Sequence, residues 1–147
     1  MKVIRVSHEA IDSGIELAPL VPLGGGALAS FTGIARDDDG VTAIELEHYP
    51  AMTEASLVAL VDDAITRWSL LGAVLIHRVG IIPVCDPIVL VGTTASHRAE
   101  ALEACAFLID RLKTDAPFWK KEHRADGSAK WVEAKTSDNA RADKWRD

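Results

Sequence analysis

Three lysines lie close together in Leu112-Lys113-Thr114-Asp115-Ala116-Pro117-Phe118-Trp119-Lys120-Lys121-Glu122, and their spacing sets what they can do jointly. Lys113 closes a segment of helical periodicity. Pro117 cannot continue that helix and biases Ala116 out of the helical region. Phe118 and Trp119 favour a strand, along which side chains alternate between faces. Lys120 and Lys121 therefore face opposite ways, and one of them shares a face with Phe118 and Glu122. A helix-end lysine and a strand lysine held across a Pro-aromatic corner can converge on an anion. A lysine crowded by other cations and partly desolvated can also lose its proton and act as base or nucleophile. The plain alternative is three solvated charges, with Lys113 complementing the helix C-terminus.

Ser96-His97-Arg98 opens the segment that ends at Lys113. Ser96 is the expected N-cap. A helix N-terminus presents free N–H groups and partial positive charge, which suits phosphate. His97 and Arg98 add donors there; simple capping beside a surface arginine is the alternative. Arg36 ends an apolar run and borders the acidic turn Asp37-Asp38-Asp39-Gly40, which lacks the alternating oxygen ligands of a calcium loop. An arginine beside a mobile loop is a common ligand contact. Gly24-Gly25-Gly26 is followed by neither Lys-Ser nor Lys-Thr, so it reads as a linker and not as a P-loop. Cys85 and Cys105 have neither metal spacing nor a Cys-x-x-Cys motif. A hydrolase built on His97 with Cys85 or Ser96 lacks the spacing of nucleophile, base and acid. No metal site and no cofactor are expected.

Positioning these residues falls to strands and two helices. Apolar patterning predicts strands over Lys2 to Val6, Ala27 to Ala35 and Val41 to Tyr49, the last two paired across the acidic turn. Thr53 is the expected cap of a first helix with the stripe Leu57, Leu60, Val61, Ala64, Ile65 and Trp68. Ala73 to Val79 and Ile88 to Ala95 are apolar almost throughout, which predicts central strands. A second helix, Ala99 to Leu112, leads into the lysine corner. Beyond it, Asp126-Gly127 offers a turn and Lys130 to Ala134 returns as a strand. Residues 8–23 have helix-compatible spacing broken by Gly14, Pro19 and Pro22, and the tail from Thr136 is polar apart from Trp145. The order predicts an α+β fold with a mixed sheet and two main helices. A chain of 147 residues suggests one domain, 1–147, with a real core. A net charge of −6 argues against non-specific nucleic-acid binding. With no long apolar run and no secretory signal, the expectation is a cytoplasmic protein that does not enter membranes.

The lysine corner, Leu112-Lys113-Thr114-x-Ala116-Pro117-Phe118-Trp119-Lys120-Lys121, resembles the signature of the catalytic, large subunit of molybdopterin synthase. The same family is matched, in order, by Phe31-Thr32-Gly33-x-x-Arg36, Leu46-Glu47-His48-Tyr49-Pro50-x-Met52 and Ser96-His97-Arg98. Ile76-His77-Arg78-x-Gly80 and Trp131-Val132-Glu133-Ala134 also fit, so the resemblance covers roughly residues 27–145. It implies an α/β-hammerhead-like fold and a sulfurtransferase that makes molybdopterin from cyclic pyranopterin monophosphate by installing two sulfurs as a dithiolene. It implies that sulfur arrives as a thiocarboxylate on the C-terminal Gly-Gly of a small ubiquitin-like partner. With Arg146-Asp147 at its end, this chain is expected to be the receiving side and not the carrier. The resemblance further implies Lys113 and Lys120 at the reacting centre, and Arg36, His97 and Arg98 on the phosphate and pterin. It implies a homodimer that becomes a heterotetramer with one small subunit per chain. A non-catalytic anion-binding or protein-interaction module of the same fold is the alternative.

Overall fold

The computed structural model describes residues 1–132 and 136–146. The two most apolar runs lie at its centre. They are β4 (Gly72–Arg78) and β6 (Pro87–Ala95), flanked by β1 (Lys2–Ser7) and β2 (Ala27–Ile34) in a four-stranded sheet of order β1-β4-β6-β2. The β1–β4 pair is parallel and the others are antiparallel, so this sheet is mixed as expected. Alternation along β4 sends Ala73 and Leu75 to one face and Val74 and Ile76 to the other. On the first face lie α2 (Pro50–Trp68) and α3 (Arg98–Asp115), which bury Leu57, Val61, Ala104, Phe107 and Leu108 against it. The second face is covered by the stretch whose periodicity was broken. Asp12 caps α1 (Ser13–Leu17) by accepting from the Ile15 N–H at 3.2 Å. A 3-10 turn at Ala18–Leu23 then sinks Leu20 between Val74, Ile76 and Leu90.

A second sheet, entirely antiparallel, has the order β5-β3-β7-β8. Its strands are β3 (Val41–His48), β5 (Gly80–Pro83), β7 (Phe118–Arg124) and β8 (Ala129–Val132). It has its own core of Val41, Ile44, Leu46, Val79 and Ile82. The expected pairing of β2 with β3 does not form. β2 pairs with β6, where Ala29 fits beneath α3, while β3 needs Ile82 and Phe118 to cover Ile44 and Leu46. The acidic turn, with Asp39 and Gly40 at positive φ, carries the chain from one sheet to the other.

Both expected helix caps move. Pro50 takes the first position of α2, where its missing N–H costs nothing, and Tyr49 becomes the N-cap. Thr53 is buried in the first turn, where its Oγ1 accepts from the Tyr49 N–H at 3.2 Å. Ser96 lies in the bend between β6 and α3, its carbonyl accepting from the Gly26 N–H at 3.2 Å, and His97 is the N-cap of α3. The Asp126-Gly127 turn closes the β7–β8 hairpin as expected, with Gly127 at φ 87°. Glu133 and Ala134, the predicted end of β8, lie outside the described residues. The polar tail forms α4 (Thr136–Asp143). Trp145 behind it packs edge-on against Trp68 and Phe107, and its Nε1–H donates to Asp110 at 2.8 Å.

Candidate active site

The chain leaves α3 where Pro117 demands. Ala116 is already extended, at φ −89° and ψ 129°, and Lys113 sits in the helix's last turn. The Thr53 hydroxyl donates to the Pro117 carbonyl at 3.0 Å and ties the corner to α2. β7 then begins at once, and its register places Lys120 across from Leu46 and Lys121 across from Glu45. Directly opposed residues of an antiparallel pair share a face. Leu46 is buried, so Lys120 belongs to the inner face with Phe118, and Lys121 to the outer one. There the Lys121 ammonium lies 4.6 Å from the Trp131 ring, on the same face as Trp119, which is T-stacked on Tyr49 at 4.6 Å.

Lys113 lines a groove of about 540 Å³ between β2, α3 and α4. The floor is apolar, formed by Phe31, Leu102, Cys105, Ala106 and Ile109. Arg141 and Lys144 of the C-terminal segment add two further cations, and Asp110 is the one carboxylate among the described lining residues. Asp110 is already engaged by Trp145 and by the Lys144 ammonium at 3.7 Å. Burial pushes the Cys105 thiol up to about 11, so this sulfur is a wall of the groove and not a thiolate. Cys85 is exposed in the turn before β6 at φ 74°, outside the groove lining.

On the inner face of the corner the Phe118 ring stacks on His77, with centroids 4.0 Å apart and planes at 18°, and on His48 at 6.3 Å. His77 is buried, and its Nδ1 lies 2.8 Å from the Arg78 carbonyl. A carbonyl only accepts, so Nδ1 carries the proton of a neutral ring. Burial lowers the His77 pKa to about 4; the hydrogen bond to Arg78 opposes this, and the charges of Lys113 and His48 add to it. The sign of the consequence is definite. Between about 6.5 and about 4 the unfolded chain binds the proton and the folded one does not, so stability is full above that window and falls through it as pH drops. The full shift is worth about 3 kcal/mol. His77→Phe keeps the ring stack and should remove that part of the pH dependence in urea denaturation. A slope identical to wild type would assign the titration to other groups.

The structure gathers some sequence-derived candidates and separates others. β2 and α3 both run antiparallel to β6 and so point the same way. Arg36, just beyond β2, therefore lies at the Lys113 end of the molecule. Its side chain is 72% exposed, 3.7 Å from Asp38. His97 and Arg98 lie at the opposite end of α3, where Ser96 meets Gly26. From Arg98 to Lys113 the helix rises about 22 Å, at about 1.5 Å per residue. Thr53, Arg141 and Lys144 escape sequence inspection. Thr53 looks like a cap, and the only signal for the two cations is their spacing of three ahead of Trp145.

Residues 6–115 match the family model described as MoaE protein. The chain belongs to the MoaE family. Two MoaE relatives carry the name molybdopterin synthase catalytic subunit. The protein of Cereibacter sphaeroides is 50% identical over 145 residues, spanning 97% of this chain and 99% of its own length. That of Ralstonia nicotianae is 47% identical over 152 residues, spanning 99% of this chain and 85% of its own. The solved structure of the MoaE protein from Burkholderia ambifaria superposes with a TM-score of 0.84 at 44% identity, covering 99% of this chain and 98% of that one. The α+β architecture is thus the MoaE architecture.

Proposed function

We propose that the chain is the catalytic subunit of molybdopterin synthase, a sulfurtransferase of molybdenum cofactor biosynthesis. It takes sulfur from the C-terminal Gly-Gly thiocarboxylate of a small ubiquitin-like subunit and installs it in cyclic pyranopterin monophosphate to build the dithiolene. One observation supports the placing of the reaction: Lys113 and Lys120 flank a single corner, and Lys113 lines an apolar groove together with Arg141 and Lys144. An anionic thiocarboxylate is attracted there. The thiocarboxylate sulfur forms a C–S bond to a side-chain carbon of the precursor as that carbon's C–O bond breaks and the oxygen leaves on phosphate or as water. Water then attacks the acyl carbon, and the lysine ammonium groups stabilise the oxyanion that forms. The acyl C–S bond then breaks, the sulfur stays on the pterin, and the carrier leaves as a carboxylate. Two rounds deliver two sulfurs.

Arg36, at the same end, suits the precursor's phosphate through charge-assisted hydrogen bonds. His97 and Arg98 lie farther from Lys113 than a pterin monophosphate spans. We assign them to the substrate bound by the second copy of a homodimer, so that the two ends of α3 serve different sites. Among the described residues no helix is long and apolar enough to cross a membrane, and we place the chain in the cytoplasm. The test is to incubate the chain with the thiocarboxylated small subunit and the cyclic precursor and to assay dithiolene. Product is expected. A carrier that binds without product would favour the non-catalytic module.

A further inference from the structure

Among the described residues His77 is the one buried histidine, 6% exposed, and the sulfur transfer as derived above does not use it. β4 and α3 both run antiparallel to β6 and so point the same way. Ala73, Leu75 and His77 alternate onto the face that α3 covers, and His77 ends that row where α3 ends in Lys113. The two are close enough for the Lys113 charge to act on the ring. Val6 and Val89 flank His77 in register, and their side chains offer no polar partner. The ring's Nδ1–H is engaged by the Arg78 carbonyl at 2.8 Å. Burying a polar ring is unfavourable unless such a bond is made, and an aliphatic side chain would fill the space without that need. What the imidazole adds is a flat face.

That face meets the Phe118 ring, with centroids 4.0 Å apart and planes at 18°. β4 belongs to the first sheet, and Phe118 opens β7 of the second, so the stack joins one sheet to the other. Phe118 shares the inner face with Lys120 and follows the helix that ends in Lys113. The corner between the two lysines therefore has two holds from outside itself. Thr53 of α2 holds the Pro117 carbonyl at 3.0 Å, and His77 of β4 holds the Phe118 ring. The hydroxyl restrains the backbone at one atom. The ring restrains how the start of β7 tilts, and with it where Lys120 points.

We propose that His77 is a positioning residue for the sulfur transfer: its ring holds Phe118 and so sets Lys120 at the distance from Lys113 at which both ammonium groups reach one developing oxyanion. This rests on the catalytic-subunit reading. Shape carries the effect, not proton transfer, because a buried ring behind Phe118 does not reach the reacting atoms. With its pKa lowered to about 4, the ring is neutral at neutral pH and adds no charge to repel either lysine. Stabilisation of an oxyanion depends on where the donors stand when charge develops, so a small tilt of β7 acts on the rate and not on the binding of either substrate.

The experiment is steady-state dithiolene formation by the full chain with the thiocarboxylated carrier and the cyclic precursor. His77→Ala should lower kcat about tenfold or more, since misplacing a catalytic group by about 1 Å costs up to about 10²-fold. The KM for the precursor and the affinity for the carrier should not change. His77→Phe returns a flat ring to the stack and should restore kcat. His77→Leu fills the volume without the flat face and should remain slow; it replaces His77→Ala throughout if that variant does not fold. The deciding measurement is the double variant His77→Ala with Lys120→Ala. With Lys120 gone His77 has nothing left to place, so the double variant should be as slow as Lys120→Ala alone. A purely structural role would multiply the two losses. Multiplied losses, a slow His77→Phe or wild-type kcat in His77→Leu each overturn the positioning role and leave the sulfur-transfer reading intact. A wild-type chain that binds carrier and precursor but forms no dithiolene overturns sulfur transfer, and the positioning role with it.

Discussion

Replacing either Lys113 or Lys120 by alanine is expected to lower dithiolene formation by a factor of about 10²–10³, the usual cost of removing one donor to a developing charge. The fold should hold. Lys113 is exposed and Lys120 is half-buried, and substitutions away from the packed core shift stability little. Lys121→Ala is the matched control. It removes the same charge one residue along β7, but from the outer face where its ammonium rests on Trp131, so turnover should change little. Lys113→Arg separates two roles at one atom. Arginine keeps the charge and does not readily lose a proton. Near-wild-type turnover in that variant would leave Lys113 as an electrostatic stabiliser, and strong loss would support a base or nucleophile. Wild-type rates in both alanine variants would remove the corner from the chemistry.

The second large effect concerns the far end of α3. Arg98→Ala should raise the KM for the cyclic precursor about tenfold or more, since a hydrogen bond to a charged group is worth about 1.5–3 kcal/mol, and carrier affinity should not change. Arg36→Ala should act in the same direction but less, because its side chain is solvated and close to Asp38. The decisive measurement mixes chains. In a dimer of Lys113→Ala with Arg98→Ala, sites built across the two copies comprise one doubly defective and one intact site. Random re-pairing of two impaired variants should then restore about a quarter of wild-type activity under subsaturating precursor. Sites built within one chain would gain nothing from mixing. Absence of recovery, with re-pairing confirmed by mass spectrometry, would return Arg98 to a purely structural place at the N-terminus of α3.

Several parts of this arrangement are legible in the sequence because their causes are local. Pro117 forbids the next helical turn whatever surrounds it, so the corner between Lys113 and Lys120 follows from one ring. Strand alternation puts Lys120 and Lys121 on opposite faces before any fold is known. The apolar runs of β4 and β6 announce central strands, and the stripes of α2 and α3 announce their buried sides. The separation of Arg98 from Lys113 follows from one straight helix joining them. Other parts are decided only by contacts between residues far apart in the chain. Which lysine faces inward depends on β7 meeting β3 in the register that sets Lys120 against Leu46. β2 leaves its neighbour β3 for β6 because each finds a different core, although sequence adjacency favours the hairpin. Thr53 reads as a cap and instead holds the Pro117 carbonyl. A polar tail without periodicity docks because Trp145 finds Asp110, Trp68 and Phe107, and it thereby brings Arg141 and Lys144 to the groove. Backbone restriction and side-chain period act within a few residues, whereas register and burial are set by the packing energy of whole elements against one another, which no local pattern ranks.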